Sequence, residues 1–109
     1  MSIRWKSASQ AELKLLRSIF LLVGGEPRLL TFLFEPDEPR IRKRAGVLRE
    51  EAWAFSAGEQ LQVRAALDIW CGAGHVQLWE LIETWDNESW AKFIRAIGEL
   101  RDLASGTIC

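Results

Sequence analysis

The stretch Ser56 to Gly74 (SAGEQLQVRAALDIWCGAG) decides the fold. It opens on Ser56 with Glu59 three residues on, the pattern in which hydroxyl and carboxylate each satisfy the other residue's free backbone amide at a helix start. Leu61, Val63, Ala65, Ala66, Leu67, Ile69, Trp70 and Cys71 follow, interrupted only by Gln60, Gln62, Arg64 and Asp68. A helix apolar around most of its circumference is one that other elements surround. Residues 59–71 are therefore expected to form the central buried helix of an all-α domain, with Gly72-Ala73-Gly74 as its stop.

Toward the C-terminus, Leu78, Trp79, Leu81, Ile82 and Trp85 mark a compact amphipathic helix over residues 76–85, and Asp86 or Asn87 can cap the next element. That last helix carries Trp90, Phe93, Ile94, Ile97, Leu100 and Ala104 as one stripe, and Gly106 closes it. Toward the N-terminus, Ser9 and Glu12 repeat the capping pattern. Leu13, Leu16, Phe20 and Val23 then keep helical spacing as far as Gly24 and Gly25.

Leu29 to Phe34 (LLTFLF) suits either a short helix entered through Pro27 or a buried strand; a helix is favoured because no partner strand is evident elsewhere. Glu35-Pro36-Asp37-Glu38-Pro39 is a rigid acidic linker. From Arg40, the residues Ile41, Ala45, Leu48, Ala52 and Phe55 fall on one helical face. The expected architecture is one compact domain of five or six short helices around 59–71, with residues 1–8 and 105–109 as poorly ordered tails.

The composition agrees with one soluble core. The chain has 109 residues, an apolar fraction of 49%, a charged fraction of 27% and a formal charge of -1, close to the averages for globular domains. Ile19 to Gly25, the longest uncharged apolar run, falls far short of the ~20 residues that cross a bilayer. Glu12, Lys14 and Arg17 interrupt what would have to be a signal peptide's apolar region, so a cytoplasmic location without membrane contact is expected. Two cysteines, Cys71 and Cys109, make no disulfide framework.

Catalytic chemistry finds little footing. The single histidine, His75, is four residues from Cys71, but Gly72 and Gly74 intervene and end the helix that would have aligned them; a buried structural thiol and a loop histidine are expected. No Cys-x2-Cys pair offers a zinc site, and Gly72-Ala73-Gly74 lacks the strand and the Gly-Lys-Ser/Thr of a phosphate loop. Glu80, Glu83, Asp86 and Glu88 read as solvated or helix-capping carboxylates. The expectation is a non-catalytic protein with no cofactor and no metal.

The segment 59–103 resembles a helix-turn-helix arrangement of the winged-helix kind: a long buried helix, a short one, a tight turn and a third helix. The resemblance implies a nucleic-acid-associated regulator, with the third helix laid in a groove. Ile82 and Asp86 stand where that family has a small residue and a turn glycine. From Ser56 onward, 4 basic residues against 8 acidic give -4, the wrong sign for a phosphate surface. Residues 1–55 carry 10 basic against 7 acidic, or +3, concentrated at Arg40, Arg42, Lys43 and Arg44, which are the candidates for contact with phosphate or an acidic partner.

Six tryptophans and no tyrosine are unusual in so short a chain. Trp70, Trp79, Trp85 and Trp90 fall within 21 positions, and each indole brings ~150–250 Å² to bury. Trp70 and Trp90 lie on clean apolar stripes and belong to the core. Trp79 and Trp85 are left as the candidates for a contact surface, because tryptophan is enriched at interface hot spots. The leading expectation is protein–protein contact by self-association, a homodimer, through the Trp79 and Trp85 region; the alternative is the nucleic-acid regulator.

Overall fold

The computed structural model describes residues 8–101, and in them six α-helices and one 3-10 turn fold into a single packed body. The helices are α1 (Gln10–Leu22), α2 (Pro27–Leu33), α3 (Ala45–Glu51), α4 (Ala57–Cys71), α5 (Leu78–Thr84) and α6 (Asn87–Leu100), with the 3-10 turn Ala52–Ala54 between α3 and α4. The all-α expectation holds. No strand occurs among the described residues, and the one sheet-like pairing is an isolated antiparallel bridge from Phe34 to Ile41. The expected stop at Gly106, Ala104 of the last stripe, Cys109 and nearly all of both tails lie outside the described residues.

Local signals place both long N-terminal starts. At Ser9 the backbone amide donates to the Glu12 carboxylate at 2.9 Å, and the Glu12 amide donates to the Ser9 hydroxyl at 3.1 Å. Ser56 and Glu59 do the same at 3.3 Å each, so α4 begins where the capping pattern put it. Gly24, Gly25 and Gly72 adopt positive φ at the ends of α1 and α4, the region where a side chain would strain the backbone.

α4 is the central element. It packs against α1, α3, the 3-10 turn and α5, and Leu61, Val63, Ala65, Ala66 and Leu67 are all buried. α1 and α6 form the other main contact and run antiparallel: the Ser18 hydroxyl donates to the Ala96 carbonyl at 2.7 Å, and Arg17 meets Glu99 at 3.1 Å. Gln62, the one polar residue on α4 that is buried, donates through Nε2 to the Leu22 carbonyl at 3.2 Å. Both buried polar side chains among the described residues are thereby satisfied, as a low-dielectric interior requires.

Residues 27–33 are helical, with Pro27 at the first turn. Phe34 then turns extended, and the Arg42 amide donates to the Leu33 carbonyl at 2.9 Å. This corrects the expected helix from Arg40. The two prolines fold the linker back on α2, Arg44 stays extended, and the helix begins only at Ala45. Ile41 reaches the core from the bridge and not from a helical face; an apolar residue at that spacing is satisfied by either geometry.

Ile94, placed in the last helix's apolar stripe, is exposed at its edge, while Ala96 is fully buried against α1. Trp70 and Trp90 pack against the core partly buried. Trp70 lies edge-on to Phe34 at 5.2 Å, and Trp90 edge-on to Trp85 at 5.9 Å and to Phe93 at 5.6 Å.

Candidate contact surface

The polar residues of α4 at 60, 64 and 68 are spaced by four and form one stripe along an otherwise apolar helix. That stripe holds the α4–α5 loop. The Asp68 carboxylate accepts from three amides in succession: Gly74 at 2.8 Å, His75 at 3.2 Å and Val76 at 3.1 Å. Arg64 donates through Nε to the Gly74 carbonyl at 3.2 Å, through a terminal nitrogen to the His75 carbonyl, and in bidentate fashion to Glu80 at 3.2 and 3.1 Å. Arg49, from α3, donates to the Ala73 carbonyl. Gly74 itself lies directly on the α4 backbone, where an added Cβ would stand 1.7 Å from the Arg64 carbonyl oxygen.

The clamp fixes how α5 sits. Leu81 and Trp85 turn inward, and Trp85 is only 6% exposed. Its Nε1 donates to the Gly58 carbonyl at 3.0 Å, and its ring meets Trp90 and Phe93. Trp85 is thus a core residue, which corrects its expected place on the contact surface. Trp79 does lie outside. Leu78, Trp79 and Ile82 are 61%, 65% and 47% exposed, and their spacing of one, three and four residues puts them together on the outward side of α5. Glu83 flanks Trp79 on the same helix and is exposed, with Asp86 and Glu88 exposed just beyond at the start of α6.

Three carboxylates here are held below their ordinary range. At Glu80 the Gln77 amide, which donates at 2.9 Å, is the main cause, followed by Arg64. Asp86 is lowered chiefly by the Ser89 amide it caps at 2.8 Å. At Glu59, burial pushes the pKa up, but the Ser56 amide and hydroxyl and Arg28 together outweigh it. A carboxyl group depressed in the folded state contributes stability that is complete above its unfolded pKa, ~4, and is lost as pH falls through the folded value. The urea midpoint is therefore expected to hold steady from pH 7 to about pH 5 and to fall below about pH 4, with Glu80→Gln flattening part of that fall. An acid limb identical in Glu80→Gln would show that the Glu80 clamp does not contribute.

The basic run is dispersed among neighbours. Arg40 pairs with Glu38 at 3.1 Å, Lys43 with Glu51 at 2.7 Å, and Arg42 donates through Nε to the Thr31 carbonyl; Arg44 caps α3 from an exposed, extended position. Arg40, Arg42 and Lys43 thus take three separate partners. Cys71 is exposed, not buried as expected, and its Sγ lies 3.4 Å from the Leu67 carbonyl. α4 ends there, and His75 sits beyond Gly72 in an exposed loop with φ of 55°. Among the described residues no group of three His, Cys, Asp or Glu side chains is placed to hold a metal ion.

An open cleft runs along the α4 stripe, floored by Gln60 and Arg64, with Glu80, Glu83 and Thr84 on the α5 side and Arg49, Glu50 and Gly46 on the α3 side. Of its polar groups, Arg64 is engaged with Glu80, and Gln60 with the Trp53 and Phe55 carbonyls. The most exposed described tryptophan is Trp53, at 76% on the 3-10 turn, which sequence reasoning missed. The signal was present, since Trp53 stands off the Ala45, Leu48, Ala52 and Phe55 face.

The site and fold define an all-helical domain with an outward apolar helix face, in which no described helix is long and apolar enough to cross a membrane. No protein-family model matches the chain, and neither does any curated protein or solved structure.

Proposed function

We propose that this is a non-catalytic domain acting by protein–protein contact through the outward face of α5, with self-association as its simplest form. The observation that carries this is the side-by-side exposure of Leu78, Trp79 and Ile82 on a helix whose preceding loop is clamped by Arg64 and Asp68 and whose Glu80 side chain is held by Arg64. Large apolar side chains cost free energy in water, and a rigid tryptophan buries much area with little loss of rotamer freedom. Grouped on a fixed helix, they favour a partner over solvent.

The exposed area of the three is of the order of 300 Å², against about 800 Å² per partner in a stable complex, so the self-association expected is weak. Sedimentation equilibrium should give a dimer with a dissociation constant of the order of 10–100 μM, weakened at least about tenfold by Trp79→Ala with the circular dichroism spectrum unchanged. A protein that stays monomeric at about 1 mM would end the self-association reading.

No observation favours the nucleic-acid alternative over this one. α6, which would be the groove helix, lies along α1, and its first turn carries Asp86 and Glu88. In the basic run that could have held phosphate, Arg40 and Lys43 are paired with Glu38 and Glu51, and Arg42 is turned to the Thr31 carbonyl.

A further inference from the structure

The α5 face has a sign as well as a hydropathy. Glu83 stands beside Trp79 with no ion-pair partner among the described residues, and Asp86 and Glu88 follow within the next few positions. Lys92 lies 3.5 Å from Glu88 and also acts on Asp86, so the three carboxylates share one basic neighbour and the edge keeps a net negative charge. Glu80, on the same helix, is already engaged by Arg64. An apolar strip edged by net negative charge meets a basic surface more favourably than a second copy of itself, because two-fold pairing brings like charges together, and this keeps the self-association described above weak.

The chain's own basic segment does not supply the complement. Arg40 and Lys43 are paired with Glu38 and Glu51, and across residues 35–51 five basic side chains stand against five acidic ones, for a net of zero. A basic surface of another protein is the stronger complement. α5 is seven residues, or about 10 Å, long, a length that matches two turns of one crossing helix and not a broad flat partner.

From the apolar strip, its acidic edge and its size, we propose that the α5 face binds a basic amphipathic helix of a partner protein. Its apolar side covers Leu78, Trp79 and Ile82, while its Lys or Arg residues reach Glu83 and Asp86. The proposal rests on the contact function given above and names the chemistry of the partner. Helix-on-helix recognition of this kind uses apolar anchors at i, i+3, i+4 and i+7 for affinity and flanking charges for orientation and choice of partner.

The test uses the full chain and two labelled peptides of equal length and apolar pattern, one with lysines and one with glutamates at every polar position, followed by fluorescence anisotropy. The lysine peptide should bind at least about tenfold more tightly than the glutamate peptide. Trp79→Ala and Glu83→Lys should each weaken it about tenfold or more, and Glu50→Lys, on α3, should leave it unchanged. Equal binding of the two peptides, no binding of the lysine peptide, or binding indifferent to Trp79→Ala and Glu83→Lys would each overturn the proposal.

Sedimentation of the same variants separates the two readings. Self-association lost on Trp79→Ala but kept in Glu83→Lys, with no lysine-peptide binding, would sink the basic partner and leave the contact function standing. Indifference of both self-association and peptide binding to Trp79→Ala would remove the α5 face altogether.

Discussion

Replacing Gly74 by alanine is expected to cost at least about 3 kcal/mol, enough to unfold a large share of a marginally stable domain. The added methyl would stand 1.7 Å from the Arg64 carbonyl oxygen, 2.7 Å from its carbon and 2.8 Å from the Asp68 amide nitrogen. These are backbone atoms of the central helix and cannot swing aside as a side chain would. The loop has to lift, and lifting it breaks the three hydrogen bonds that its amides donate to Asp68 and those that Arg64 donates to the Gly74 and His75 carbonyls. With a urea slope of about 1–3 kcal/mol/M for a small domain, the midpoint should fall by about 1 M or more. A midpoint matching that of the parent would mean that loop and helix do not approach so closely. Gly72→Ala is the useful comparison: its Cβ meets nothing within 4 Å, so only the strain of a left-handed residue is added, about 1 kcal/mol.

The second large effect is at Trp85. Removing its indole should cost about 3–5 kcal/mol, since a large core side chain is lost and the cavity refills only in part. The Trp90 and Phe93 rings lose their common neighbour, and the Gly58 carbonyl loses its donor. Trp79→Ala, by contrast, removes a side chain that already faces water and should change stability by no more than about 0.5 kcal/mol. Thermal melts of the two variants should differ by more than about 10 °C. The reverse order, with Trp79→Ala the more damaging, would mean that the inner and outer faces of α5 are exchanged.

That pair shows which parts of the site could be read along the chain. Four of the tryptophans attracted notice by their crowding, and the core places of Trp70 and Trp90 followed from apolar stripes on helices long enough to have a clear inner side. α5 is only seven residues long, and Leu78, Trp79, Leu81, Ile82 and Trp85 form one continuous apolar arc, so periodicity does not say which edge of that arc packs inward, Leu81 with Trp85 or Trp79 with Ile82. The basic run at 40–44 looked like one patch because its members adjoin in sequence. In three dimensions the prolines turn the segment back on α2, and its side chains take separate partners.

What the amino-acid order determined by itself was everything governed by interactions a few residues apart. The Ser9 and Ser56 capping boxes, the glycine stops, the helical class and the choice of 59–71 as the centre all rest on bonds and spacings within one or two turns. The tertiary structure alone decided which side of α5 meets water. That choice is made by Arg64, Asp68 and the bare backbone of Gly74, which set the direction of the loop from a helix 10 to 20 residues upstream of α5's outward side chains. A hydrogen bond across such a span depends on where two elements pack, and local periodicity carries no record of it.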